Sequence, residues 1–312
     1  LLNCIFSKRH FFAMVYAYTI QRSIQISMKK IALINDLSGF GKCSLTAAIP
    51  VISCLGVQAC PLPTAILTSQ TGFPSYYCDD YTYKMNHFIE EWKKMNITFD
   101  GIYSGYLGSA AQIENVLCFL EQFKTEHTLY LADPVMGDNG RCYTIFTEEL
   151  RNGMKELTKR ANIITPNMTE LCLLANKDCD QLFSYSSASK EDFLKRIEEI
   201  GHLLLNDAIN EQTILVTGIV RHETAQAYMG NLAISKKESF YHETVFTGKS
   251  YSGTGDLFAS VIAGSLVQGF SIQDAIKKAA RFLQPAIEEA SLENIDRNHG
   301  VHFEKYLNLL MQ

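Results

Sequence analysis

The sequence predicts an α/β fold: a central, mostly parallel β-sheet flanked by helices on both faces. From Lys30 onward, short apolar runs of β type alternate with longer segments of helical period. Composition agrees: of 312 residues 47% are hydrophobic and 20% charged, with 19 Gly and 7 Pro, which excludes a disordered or collagenous chain. No run of about eighteen uninterrupted apolar residues is present, so no transmembrane helix is expected.

Element by element, Ile31 to Ile34 reads as the first strand. Ser44 to Leu55 reads as a helix with Leu45, Ala48, Ile49 and Ile52 on one stripe, ended by Gly56. Val57 to Pro61 follows as a strand, Asp80 to Met95 as an amphipathic helix, and Gly101 to Ser104 as a strand. Ala110 to Phe123 is a helix and Thr128 to Ala132 a strand. Ala161 to Ile164 is a short strand leading through Pro166 into a helix from about Thr169. Lys190 to Leu205 is a longer helix. Ile214 to Val216 and Ala225 to Met229 read as strands joined by Gly218 to Glu223, and Gly255 to Gly269 and Ile272 to about Glu289 as the closing helices. Cys179 to Ser189 is polar and Ser-rich, and is expected to be a surface loop.

Residues 1–27 read as an extension outside the core. Lys8, Arg9 and His10 precede the apolar Phe11 to Ile20 in the manner of a signal peptide, but tyrosines interrupt that run and no small-x-small cleavage site follows. Met28 directly precedes Lys29, Lys30 and a clean first strand, so residues 1–27 fit translated upstream sequence. With no repeat or low-complexity linker, residues 28–312 are expected to form a single domain. A net charge of −5 gives no footprint for nucleic acid. The nine cysteines form no C-x-x-C pair and read as free thiols of a reducing, cytoplasmic compartment.

Four stretches can carry chemistry. In Tyr251-Ser252-Gly253-Thr254-Gly255-Asp256, two glycines permit a tight turn, and the unpaired N–H groups of the helix that follows form an anion site. Asp256 is placed there to accept a proton from a hydroxyl nucleophile; the alternative is a turn whose Asp only complements the helix dipole. Asp133 and Asp138, in D-P-V-M-G-D after a strand, lie where open α/β sheets bind ligands, and could hold Mg²⁺ mostly through waters. Asn167 and Glu170 in T-P-N-M-T-E could add oxygen ligands, and they also have capping-box spacing. The segment Asn35 to Lys42 tempts a P-loop reading but fails it: Asp36 stands where the first Gly belongs, and Cys43 follows Lys42. G-x-G-x-x-G and G-x-S-x-G signatures are absent, as are zinc spacings among the histidines.

The order of these segments, together with Ser104 to Ser109 (S-G-Y-L-G-S), resembles the ribokinase-like superfamily and, within it, the pyridoxal (pyridoxamine, pyridoxine) kinases, over essentially all of residues 29–290. The resemblance implies an ATP- and Mg²⁺-dependent kinase, often stimulated by K⁺ and usually a homodimer, that phosphorylates the 5′-hydroxymethyl group of a B6 vitamer. By that resemblance Asp256 is the catalytic base and Gly253, Thr254 and Gly255 the anion hole. Asp133, Asp138 and Glu170 surround the metal and the phosphates, with Thr165 and Asn167 beside them. Tyr143 is the flap residue, Thr217 and Gly218 line the nucleotide site, and Thr71 and Tyr106 contact the pyridine ring.

Two positions depart from the family pattern: Asp36 where a serine is common, and Gln70 where a histidine is common. A carboxylate beside the ring favours a protonated pyridinium or a cationic amine, so pyridoxamine or pyridoxine is expected over the aldehyde. The nearest alternative, a hydroxymethylpyrimidine kinase of thiamine synthesis, commonly carries Cys where Asp256 stands. A non-catalytic ligand-binding homologue is disfavoured by the intact acidic residues.

Overall fold

Strand β1 (Lys30–Ser38) sends Ile31 and Leu33 into one apolar layer and Ala32 and Ile34 into the other, as a strand covered on both faces must. The computed structural model describes residues 28–143 and 147–311; the extension expected at 1–27 lies outside them. Helix α1 (Ser44–Cys54) leads to β2 (Gln58–Leu67), parallel to β1, and β3 (Cys78–Asp80) adds a short antiparallel edge. Then come α2 (Thr82–Lys94), β4 (Gly101–Ser104), α3 (Ala110–Phe123) and β5 (Leu129–Ala132). A small hairpin, β6 (Gly137–Asp138) and β7 (Arg141–Cys142), stands apart from the main sheet.

The second half runs α4 (Glu148–Arg160), β8 (Ile163–Ile164), α5 (Met168–Ala175), α6 (Cys179–Ser184) and α7 (Lys190–Asp207). Strands β9 (Thr213–His222), β10 (Ala227–Ile234) and β11 (Ser239–Val245) follow, then α8 (Thr254–Gln268) and α9 (Ile272–Leu292). The nine-stranded sheet has the order β11-β10-β9-β8-β5-β4-β1-β2-β3. It is parallel from β9 to β2 and antiparallel at both margins. One layer packs α1, α8 and α9 on the face of Leu33, Tyr103 and Leu131; the other packs α2 to α7 on the face of Ile34, Ile102 and Tyr130.

The structure departs from the sequence reading at four places. Residues 148–160, for which the sequence suggested no element, form α4. Thr147 caps it by accepting from the Leu150 N–H, but its apolar stripe is only Leu150, Met154 and Leu157 in a charged segment, too narrow to stand out by period. Cys179 to Ser189 is not a plain loop: Asp178 caps α6, Leu182 is buried, and a 3₁₀ turn follows at Tyr185–Ser187. Gly218 to Glu223 is largely strand rather than connection, because buried Ile219 and Arg221 continue the alternation of β9. The edge strand β11 also escaped the reading, since its half-buried, polar sequence carries little apolar signal.

The chain leaves β1 toward β2 on one side, and β4 lies on the other. That reversal opens a crevice beyond the carboxyl ends of the strands, the usual ligand position in such sheets.

Candidate active site

Each parallel strand delivers a polar residue to this crevice as its pairing ends. The Gly105 N–H donates to the Ile34 carbonyl at 2.9 Å, Asp133 to Ser104 at 2.8 Å, and Thr165 to Ala132 at 3.2 Å. The next side chains, Asn35 and Asp36, Tyr106, Asp133 and Thr165, therefore share one end of the sheet.

Gly253 opens α8 from the left-handed region, with φ of +82°, which a residue without Cβ adopts freely. A side chain at Gly255 would meet nothing within 4 Å, so space stands open over the first turn of the helix. Thr254 is turned inward, its hydroxyl donating to the Tyr251 carbonyl at 2.9 Å. Asp256, half-buried, accepts from Asn35 Nδ2 at 3.3 Å. Its pKa is raised to about 6, chiefly by burial and further by Asp36, while the Ser44 main-chain N–H and the Asn35 amide oppose the rise. Asp133 accepts from the Thr165 hydroxyl at 3.0 Å, and burial together with the Asp256 charge raises its pKa as well.

Glu170 makes the capping bonds that its spacing from Asn167 predicts. Its two oxygens accept main-chain N–H groups of Met136 at 3.0 Å and Asn167 at 2.9 Å, and Asn167 Oδ1 accepts the Glu170 N–H in return. The pair is a capping box at the start of α5. Asn167 Nδ2 donates to the Gly137 carbonyl and the Gly140 N–H to the Thr169 hydroxyl, so the β6–β7 hairpin is tied down on this helix start. Among the described residues no three His, Cys, Asp or Glu side chains come together so as to hold a metal ion. Two accepted N–H groups leave the Glu170 carboxylate further lone pairs, so its capping bonds and the expected place beside a metal ion are compatible, and Asp138 accepts from its neighbour Asn139. Asp256 bears on Asp133 as a like charge, as do Asp133 and Asp138 on Glu170. That electrostatic setting suits a divalent cation held through waters.

Beside the β6–β7 hairpin, a cavity of about 230 Å³ is lined by Asp138, Asn139, Asn167, Met168, Thr169, Phe183, Ser186, Phe193, Gly218, Val220 and His222. Thr217 stands beside it, its N–H on the Pro166 carbonyl at 2.9 Å. Tyr143 is half-exposed at the end of the hairpin, its N–H on the Met136 carbonyl. Arg297 reaches Asp138 at 3.5 Å. Phe183, Ser186 and Arg297 were not foreseen; the first two lie in the stretch read as a loop, and no motif surrounds the third.

On the other side of the crevice, Asp36 is buried. Its oxygens accept hydroxyls from Ser38 at 2.9 Å and Ser44 at 2.5 Å, and burial raises its pKa. Ser44 takes φ of +50°, a strained setting for a residue with a Cβ and one that nothing in its sequence neighbourhood signals. Tyr106 is half-buried and its phenol is pushed up to about 12 by burial and then by Asp36. Thr71 is exposed on a turn held by Gln70, which accepts from Gly72 N–H and donates to the Asn298 carbonyl. Lys42, the residue that suggested a P-loop, pairs instead with Glu304 at 2.9 Å.

The family model described as phosphomethylpyrimidine kinase matches residues 41–302. The chain belongs to the phosphomethylpyrimidine kinase family. Within this family's fold, a Bacteroides thetaiotaomicron protein provisionally named a phosphomethylpyrimidine kinase, in a crystal form with pyridoxal, superposes with a TM-score of 0.81. It is 37% identical, over 92% of this chain and 96% of its own. Pyridoxal kinase from Lactobacillus plantarum gives a TM-score of 0.79 at 26% identity, covering 91% and 97% of the two chains. The pyridoxine/pyridoxal/pyridoxamine kinase of Bordetella avium is 23% identical over 256 residues, 80% of this chain and 81% of that one.

Proposed function

We propose that this protein transfers the terminal phosphoryl group of ATP to the 5′-hydroxymethyl group of a B6 vitamer, with Asp256 as general base. The observation that carries the reading is the carboxylate of Asp256, lifted to about 6 and set in the first turn of α8 beside the open space at Gly255. The kinase relatives that take B6 vitamers, and the relative crystallised with pyridoxal, support the choice of acceptor.

Asp256 accepts the hydroxyl proton as the alcohol oxygen attacks, and the N–H groups of the Gly253 to Gly255 turn face the charge on the phosphoryl oxygens. Asp133 and Asp138, with Glu170 beside them, would hold Mg²⁺, which would offset phosphate charge. Tyr143 and the hairpin anchored on Asn167 and Thr169 close over the phosphates and keep water out. Thr165, Thr217 and Gly218 border the nucleotide, and Asp36, Thr71 and Tyr106 the ring.

A second reading, phosphorylation of a hydroxymethylpyrimidine, is favoured by the family description itself. One coupled assay of ADP release over pyridoxal, pyridoxamine, pyridoxine and hydroxymethylpyrimidine separates the two. Turnover with a B6 vitamer is expected, and turnover with the pyrimidine alone would overturn the proposal.

A base works only when ionised, so the raised pKa of Asp256 fixes the sign of the pH dependence: activity is full above about pH 6 and lost below it. The acid limb of kcat/KM is expected near that value, with roughly tenfold loss per further pH unit. A limb near the ordinary aspartate value of about 4 would show that burial of Asp256 is not felt in solution.

Asp36 gives a specificity prediction. Two serine hydroxyls hold its carboxyl beside Tyr106, where charge pairing favours a cationic substrate. Pyridoxamine or pyridoxine is expected to exceed pyridoxal by about tenfold in kcat/KM, the worth of one charge-assisted hydrogen bond, and Asp36→Ser to erase the difference. Equal efficiencies for all three vitamers in both proteins would refute it.

A further inference from the structure

We infer that Asn35 is a positioning residue, whose side-chain amide bridges the substrate-side turns and the carboxylate of Asp256 and fixes the rotation of that carboxylate. The inference rests on Asp256 being the base, and it goes further by naming the group that orients it. Asn35 Oδ1 accepts two main-chain N–H groups, from Tyr106 at 2.8 Å and from Asp36 at 3.0 Å. A flipped amide would set its own NH₂ against both donors, so the orientation is determined by the bonds it makes. Nδ2 is thereby turned toward Asp256 and donates to Oδ1 at 3.3 Å.

The backbone makes room for this bridge. A Cβ at Gly105 would run into the Asn35 side chain, so the amide crosses the gap between β1 and β4 only because position 105 has none. Asn35 is 2% exposed, which leaves little water to compete for the bond to Asp256. Asp36 and Asp133 both bear on Asp256 as like charges; a carboxylate released by Asn35 would turn away from them. The same amide touches Tyr106 and Asp36 through their main chains, so the ring-side residues and the base share one rigid part.

Two variants separate orientation of the base from plain structural support. Asn35→Leu removes the acceptor and the donor together. Asn35→Asp is nearly isosteric and keeps an acceptor for the Tyr106 and Asp36 N–H groups, but it replaces the donor to Asp256 by an oxygen. Asn35→Asp adds a buried acid beside Asp36 and Asp256, so its melting temperature falls as well, and the roles separate at the base itself. A structural role leaves the Asp256 carboxylate in its wild-type rotation and kcat of the folded protein near wild type, whereas a positioning role predicts at least about tenfold loss in kcat, as misplacement of a reacting group does. KM for ATP and for the vitamer should stay nearly unchanged. Crystal structures of both variants should show the Asp256 carboxylate rotated, a readout that needs no turnover.

If the wild-type protein phosphorylates no B6 vitamer, the proposed function fails, while the carboxylate orientation in the variants still decides the role of Asn35. Wild-type kcat in Asn35→Asp, or an unmoved Asp256 in both variants, would overturn the inference. Should Asn35→Leu fold poorly, Asn35→Asp decides alone.

Discussion

Asp256→Asn is expected to lower kcat by at least about 10²-fold, the lower range for loss of a general base, and to make the protein more stable at the same time. The amide matches the carboxyl in size but cannot take up the hydroxyl proton, so KM for ATP and vitamer should change little. The stability gain follows from the sign of the pKa shift. The folded-state value of about 6 stands above the reference of 3.8, so ionisation is penalised in the native protein. The penalty is absent below about pH 4, builds between there and about 6, and is complete above that. Its size at pH 8 is on the order of 1–2 kcal/mol after allowance for solvent at the half-buried site, or a few degrees in Tm for a chain of this length. Thermal unfolding of both proteins at pH 8 and pH 4 measures it. A less stable variant at pH 8 would mean that the charge on Asp256 is compensated in the native protein, and would weaken its standing as a strained, functional group.

Such strain explains which parts of the site were legible in the sequence. Strand β4 and helix α3 are readable to the residue, because their apolar periods are clean and their ends carry Gly101, Ser104 and the capping Ser109. The turn before Asp256 and the helix it opens are readable because glycine spacing precedes a clean apolar run. Asn35 and Ser44 are not. Their importance lies in contacts with Asp256 and Asp36, residues far away or held by an unusual backbone, and neither sequence period nor local motif encodes a tertiary hydrogen bond. Glu170 was legible as a cap: its capping-box spacing with Asn167 predicted the bonds it makes. The α4 helix was missed because tertiary packing of three apolar residues, with a good cap, suffices where sequence pattern is faint.

The glycines before Asp256 provide a paired test of the anion hole, with opposite effects on stability. At Gly253 an added Cβ would collide with the main-chain carbonyl of Lys42, and the residue already sits at φ of +82°. Left-handed backbone alone costs an L-residue about 1–2 kcal/mol, and the clash can be relieved only by moving α8 away from the β1–α1 turn. Gly253→Ala is therefore expected to lower Tm by several degrees and to reduce kcat by about 10²-fold, since displacement of about 1 Å at reacting groups has that effect. Gly255 has no such neighbour and no positive φ, so Gly255→Ala fits the fold and should leave Tm unchanged or slightly higher, alanine being the better helix residue. Its methyl group instead enters the space assigned to the transferring phosphoryl group. Loss of turnover in Gly255→Ala without loss of stability would locate the phosphate at that helix start by function alone. Full activity in Gly255→Ala would show that the phosphoryl group passes elsewhere, and Asp256 would then face no reacting hydroxyl.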